Sequence, residues 1–347
     1  MLLTIFAIET SCDETSAAIL RNNTVLSNIV SSQLFHSKYG GIVPELASRA
    51  QISAIDRICN AAIEEAKINK NEINLVAATK GPGLIGSLLV GLNYAKAFAV
   101  SKSIKFLGIN HIEAHLYSCF IGKESVKFPF ISLIVSGGHT LLILVRNYSE
   151  YKILGQTQDD AAGEAFDKVA KMLGLGYPGG PIIDRLAKEG DENFHKFPVS
   201  QVKENVYDFS FSGIKTSVLY YLRKNFADYN TEEGRNNLPV NDISASFQKA
   251  VVGSLVKKTM LAAESFKVKT IAVSGGVSAN SSLRKEFNKY TDRGYEIRFP
   301  EPKYSTDNAA MVGYAAYLKY TFCNLPEKAF EESLLEPTFA KFDCENF

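Results

Sequence analysis

Two of the five histidines in this 347-residue chain, His111 and His115, stand four positions apart in the segment NHIEAH, directly after a run that reads as a strand. On an α-helix, at about 100° per residue, such a pair is separated by only about 40° around the axis, so both imidazoles can converge on one metal ion. The spacing alone is equally met by a structural pair, one ring packed and the other solvated. Asp307, at the start of the helix signalled by STDNAAM, is a candidate either for a third ligand or for a helix cap.

HIEAH differs from the zinc-protease signature HExxH in the place of its glutamate. In HExxH the glutamate follows the first histidine and faces metal-bound water, whereas Glu113 falls about 160° from each histidine and points away from a shared ion. Its expected role is a capping box with Asn110 as the N-cap.

Other polar groups have the same double reading. Asp160, Glu164 and Asp167 recur at i, i+4 and i+7, so a helix through them would carry all three on one face beside Lys168 and Lys171, either as a solvated face with pairs such as Asp167 with Lys171 or as a functional one. Asp184, soon after GYPGGP, is undecided on its own. Asp13 and Glu14 crowd the first hairpin turn, as plain turn residues or as polar active-site groups.

Three glycine-rich turns stand at strand ends. GPGLIG, residues 81–86, fits G-x-G-x-x-G, but Pro82 removes a donor where a pyrophosphate would sit and no acidic residue ends the next strand, IKFLGIN. A tight, closely packed turn is expected there. SGGH at 136–139 and SGGVSAN at 274–280 let backbone N–H groups approach a phosphate or carboxylate. Each alone is equally a plain turn, and the two together suggest one nucleotide held between halves of the chain.

The elements that must position these groups alternate in type. IFAIETSCDETSAAIL and FISLIVSGGHTLLILV both read as β-hairpins, so the chain looks like a diverged duplication whose second half begins near Phe128 to Phe130, with KESVKFPF as the junction. Between the hairpins lie a helix around PELASRAQISAIDRICNAAIEEA, a strand at INLVAAT, a helix at GSLLVGLNYAKAFAV and the strand IKFLGIN. After the second come a helix around AAGEAFDKVAKMLG, a long helix in ISASFQKAVVGSLVKKTMLAAESF, the strand TIAVSGG, and a final helix starting near Thr306. The class is α/β.

Composition excludes several functions. With 38 Lys plus Arg against 37 Asp plus Glu, the formal charge of +1 gives no global field toward nucleic acid, so an RNA partner needs a local patch or a helper protein. Cys12, Cys59, Cys119, Cys323 and Cys344 show no paired metal-type spacing and fit a reducing cytosol. MLLTIFAIET has no basic leader, and no apolar run reaches the roughly 18 residues of a membrane span.

Taken in order, IETSCDET (8–15), GPGLIGSLLVG (81–91), NHIEAH (110–115), VSGGHT (135–140), GEAFDK (163–168), YPGGP (177–181), SGGVSAN (274–280) and STDNAAM (305–311) resemble the TsaD/Gcp family of tRNA threonylcarbamoyladenosine synthase subunits, over nearly the whole chain. The length and YPGGP look like its bacterial or mitochondrial branch. The resemblance implies a duplicated actin-like fold of the sugar kinase, Hsp70 and actin type, with two lobes around a central cleft. The lobes would be residues 1–127 and 128–347, the last helix packing back on the first lobe. It implies transfer of threonylcarbamoyl from threonylcarbamoyl-AMP to N6 of adenosine 37 in tRNAs reading ANN codons, with AMP released.

Residue by residue, the resemblance makes His111, His115 and Asp307 the ligands of one divalent metal per subunit, Fe2+ or Zn2+. It places Ile134, Val135, Ser136, Gly137, Gly138, Asp167, Gly180, Asp184 and Asn280 on the adenylate, with His139 in the same segment. Asp13 and Glu14 fall in a motif associated with catalysis. It further implies tRNA, TsaB-like and TsaE-like partners, and a cytoplasmic location, or the mitochondrial matrix for an organellar member. The rival readings are an actin-like ATPase or sugar kinase, a metalloprotease, disfavoured by Glu113, and a non-catalytic scaffold.

Overall fold

The computed structural model describes residues 2–123, 125–200, 202 and 204–342. Glu124 of the KESVKFPF junction and Cys344 lie outside the described residues. Among the described residues the chain divides into two compact units, one of residues 2–123, 125–126, 147–150 and 300–342 and the other of residues 127–146, 151–200, 202 and 204–299. Among them too, no helix is long and apolar enough to cross a membrane.

The first unit is built on a five-stranded sheet of β1 (Thr4–Glu9), β2 (Glu14–Arg21), β3 (Thr24–Ser32), β4 (Leu75–Gly81) and β5 (Lys105–Asn110), in the order β3-β2-β1-β4-β5. β1 pairs antiparallel with β2 and parallel with β4, which pairs parallel with β5. Every residue of β1 is buried, as befits a central strand covered on both faces, and this explains why TIFAIE reads as a continuous run rather than an alternation. The helix Pro44–Glu65 opens with proline, whose fixed φ suits a first turn, and buries Ala47, Gln51, Ile55, Cys59 and Ala62 as one stripe. Phe6, Ile8, Ile55, Val76 and Phe106 belong to the core beneath it.

The second unit has β6 (Phe130–Val135), β7 (Thr140–Asn147), β8 (Glu150–Gln156), β9 (Thr270–Ser274) and β10 (Glu296–Arg298), in the order β10-β9-β6-β7-β8. Numbered from its own first strand, each sheet therefore runs 3-2-1-4-5. The long helix Val240–Ser265 and the helix Ala162–Met172 supply Phe247, Val251, Phe166 and Val169 to its core.

Two expectations about the C-terminal region need correction. The helix expected near Thr306 begins at Ala309, and it is not the last, because Glu327–Leu335 forms another that packs against β5. Ser333 Oγ accepts the Gly108 N–H at 2.7 Å there. The exposed Leu335 and charged flanks of this segment hide its stripe, which reduces to Phe330 and Ser333.

Candidate metal centre

The parallel strands β1, β4 and β5 end in Glu9, Gly81 and Asn110, and the turns that follow them carry the polar groups of the first unit. The carboxyl edge of parallel strands is the usual place for a site in an open α/β sheet. After β5, Asn110 Oδ1 accepts the N–H groups of Ile112 and Glu113 and starts the helix His111–Ser118. That is the Asn110 half of the expected capping box. The Glu113 carboxylate forms a 2.8 Å ion pair with Lys319.

His111 and His115 are both buried, with ring centroids 4.6 Å apart and planes at 84°. Asp307 Oδ1 lies 3.0 Å from His115 Nε2 and 3.7 Å from His111 Nε2. One ligand atom from each of the three falls within 4.8 Å of the others, an arrangement able to hold a divalent metal ion. Asp307 is not the cap of the following helix. Asn308 takes that role, accepting the Met311 N–H at 3.1 Å, while Ser16 Oγ and Asn28 Oδ1 accept the N–H groups of Ala309 and Ala310. With the first-turn donors met by β2, β3 and Asn308, the Asp307 carboxylate is turned toward the histidines.

Sequence reasoning missed the groups behind the histidines. Glu9, wholly buried, places Oε2 3.1 Å from His111 Nδ1, and Ser11 Oγ lies 3.2 Å from the same atom. Burial opposes charge on His111, but the Asp307 and Glu9 carboxylates outweigh it and push the metal-free imidazole up to about 9. The signal for Glu9 was present, since a charged residue ends a strand that is otherwise apolar.

The GPGLIG turn is the packed support it was expected to be. The Leu84 N–H donates to the Ser11 carbonyl at 2.8 Å, and a Cβ on Gly83 would meet that carbonyl at 2.5 Å. Glycine is thus required for the close approach that holds the turn after β1 in place. On that turn, loss of water and then the negative charges of Asp307 and Asp13 hold the Glu14 carboxyl well above its usual range.

In the second unit Ile134 and Val135 are fully buried strand residues, registered with Leu141 and Thr140 of β7. The accessible part of the segment starts at Ser136, whose N–H donates to the His139 carbonyl at 2.8 Å and whose Oγ accepts the His139 N–H at 3.0 Å. Gly137 and Gly138 are exposed, and a Cβ on either would meet nothing within 4 Å. Gly180 is equally open. Asp167 Oδ1 accepts the Gly179 N–H at 2.7 Å, and burial holds this carboxyl above its usual range against the pull of the Gly179 and Gly180 N–H groups. Asp184 accepts the Ser281 N–H and, at 2.8 Å, its hydroxyl. Asn280 caps the helix Ser281–Asn288 through Leu283 and donates to Gln248 Oε1 at 2.6 Å.

The three carboxylates expected on one helical face separate. Asp160 precedes the helix, which starts at Ala162, and pairs with Lys168 and Lys215, each at 2.7 Å. Glu164 pairs with Lys168 at 2.8 Å, and Asp167 turns to Gly179. Burial tends to raise the Asp160 carboxyl, but the two lysines outweigh it and hold it below its ordinary value. A carboxyl depressed on folding adds stability above its unfolded pKa, and that stability is lost as pH falls through the folded value. Asp160→Asn should therefore cost about 2 kcal/mol near neutrality. The gap between the two chains in urea denaturation should close as the pH falls below the unfolded carboxyl value of about 4 and on through the lower folded one.

A sequence model of the TsaD family, tRNA N6-adenosine threonylcarbamoyltransferase, matches residues 24–314. The tRNA N6-adenosine threonylcarbamoyltransferase of Chloroherpeton thalassium is 51% identical over 91% of this chain and 92% of its own length. That of Caldicellulosiruptor saccharolyticus is 49% identical over the same shares. Among solved structures, T. kodakarensis HypF superposes with a TM-score of 0.60 at 14% identity, over 96% of this chain and 50% of its own. Full-length HypF in a phosphate- and nucleotide-bound form gives 0.57 at 14% identity, over 92% of this chain and 56% of its own. The chain thus spans about half the length of these HypF structures, and that likeness shows the fold alone. Together with the matched length of its relatives, the sequence places this chain in the TsaD family of tRNA N6-adenosine threonylcarbamoyltransferases.

Proposed function

We propose that this chain makes threonylcarbamoyladenosine at position 37 of tRNAs reading ANN codons, drawing the threonylcarbamoyl group from threonylcarbamoyl-AMP and releasing AMP, with His111, His115 and Asp307 as ligands of the metal that serves the reaction. The threonylcarbamoyl transfer to tRNA follows from family membership. The donor, the codon class and the residue roles are the proposal. The observation that carries it is the His111, His115 and Asp307 cluster, three donors within 4.8 Å inside a family match of this extent.

Two imidazoles and one carboxylate leave coordination positions open, and they suit Fe2+ or Zn2+. Such an ion, when bound, supplies Lewis acidity to an acyl oxygen. The remaining work falls to this chain. The N–H groups of Gly137 and Gly138 hold the phosphate that departs with AMP, and Asp167, Gly180, Asp184 and Asn280 contact the rest of the adenylate, the last two also bonding the first turn of the Ser281–Asn288 helix. The N6 amine of adenine bonds to the carbamoyl carbon as the bond to the phosphate oxygen breaks, and Asp13 takes the proton that the amine loses. The like strand order of the two sheets supports a duplicated actin-like fold. Near-neutral charge supports a need for TsaB-like and TsaE-like partners in binding tRNA, and the cytoplasm, or the matrix of an organelle, is the location the family suggests.

The test is incubation of the protein and those partners with labelled threonylcarbamoyl-AMP and unmodified tRNA, followed by nucleoside mass spectrometry. Labelled threonylcarbamoyladenosine is expected. An unlabelled nucleoside pool with active partners present would refute the reading.

A further inference from the structure

No part of the Glu9 side chain is exposed, and both of its oxygens are committed. Oε1 accepts the Ser11 N–H, while Oε2 accepts the Thr79 hydroxyl at 2.6 Å and faces His111 Nδ1 at 3.1 Å. Facing a carboxylate, Nδ1 acts as the donor, so the proton of the neutral ring sits on Nδ1 and Nε2 keeps its lone pair. Nε2 is the nitrogen that lies toward Asp307. His115 is held differently, because its Nδ1 is buried without a hydrogen-bond partner.

We propose that Glu9 is the positioning residue of the metal centre: it fixes the tautomer and ring orientation of His111 so that Nε2 meets the ion, whereas His115 has no such partner on its Nδ1. The inference rests on reading the cluster as a metal centre. A buried carboxylate is costly unless its oxygens are met, and here the Ser11 N–H, the Thr79 hydroxyl and His111 Nδ1 meet them. For the fold alone a neutral acceptor of the same shape would serve. What the carboxylate adds is a strong acceptor for the Nδ1 proton, which raises the basicity of Nε2.

The test uses Co2+ as the probe, because its visible absorption bands report ligand geometry, on the full chain freed of metal. Glu9→Gln should weaken Co2+ binding about 10- to 100-fold and alter the bands, and Glu9→Asp, one methylene too short to reach Nδ1, should do the same. Ser27→Ala, which removes a buried 2.6 Å hydrogen bond to the Ala62 carbonyl, should lower the melting temperature and leave Co2+ affinity unchanged. A folded Glu9→Gln or Glu9→Asp variant with the wild-type constant and spectrum would overturn the role of Glu9 alone. A wild-type chain that binds no Co2+ at His111 would overturn the metal reading with it.

Discussion

His115→Ala should remove bound metal and lower threonylcarbamoyl transfer to tRNA by about a thousandfold while the chain stays folded. The size follows from losing several kcal/mol of charge stabilisation, at about 1.4 kcal/mol per tenfold in rate. His115 is the cleaner of the two histidines to replace, because its Nδ1 has no hydrogen-bond partner to orphan. His111→Ala should cost the same activity and also about 1 to 3 kcal/mol of stability, since it leaves the buried Glu9 oxygen without its Nδ1 donor. Asp307→Asn should match His115→Ala in activity and melt near the wild type, because Asn308 still caps the helix. Thermal melts beside nucleoside mass spectrometry distinguish these outcomes, and a metal-loaded, active His115→Ala chain would remove the centre from the mechanism.

Gly138→Val should raise the KM for threonylcarbamoyl-AMP about 10- to 100-fold with little change in melting temperature. The added Cβ meets nothing within 4 Å, so the effect reports what the turn binds. The magnitude corresponds to one or two charge-assisted hydrogen bonds to phosphate. Gly275→Val, in the paired-glycine turn after β9, should do the opposite kind of damage. Gly275 has φ +86° and its Cβ would collide with the Val135 carbonyl, so the variant should lose stability before any question of binding arises. Equal melting temperatures for the two variants, or an unchanged KM in Gly138→Val, would argue against a ligand-facing turn at Gly137 and Gly138.

The difference between these glycines could not be read from SGGH and SGGVSAN, which look alike as strings. Local pattern does reveal what local physics decides: the buried strands as apolar runs, the two hairpins, the Pro44–Glu65 helix from its stripe, and the Asn110 cap. It fails where partners are distant. Asp307 is 192 residues from His115, and its neighbour Asn308 is as good a cap by type, so only the resemblance assigned one to the ligands. Glu9 showed as a charge ending an apolar strand, but its partner was hidden for the same reason, being 102 residues away. The Asp160 face was misread because its helix begins two residues later, at Ala162, and because Lys215, 55 positions away by numbering (215 − 160), claims one oxygen.

A single-turnover transfer of labelled threonylcarbamoyl from its adenylate to unmodified tRNA, with the protein first stripped of metal and then titrated with Fe2+ or Zn2+, reads out whether His111, His115 and Asp307 hold a metal that serves the reaction. Transfer should be absent without metal, return at one equivalent per chain, and not return in the Asp307→Asn variant at any equivalence. Full transfer by the stripped protein, or equal recovery in Asp307→Asn, would contradict that role.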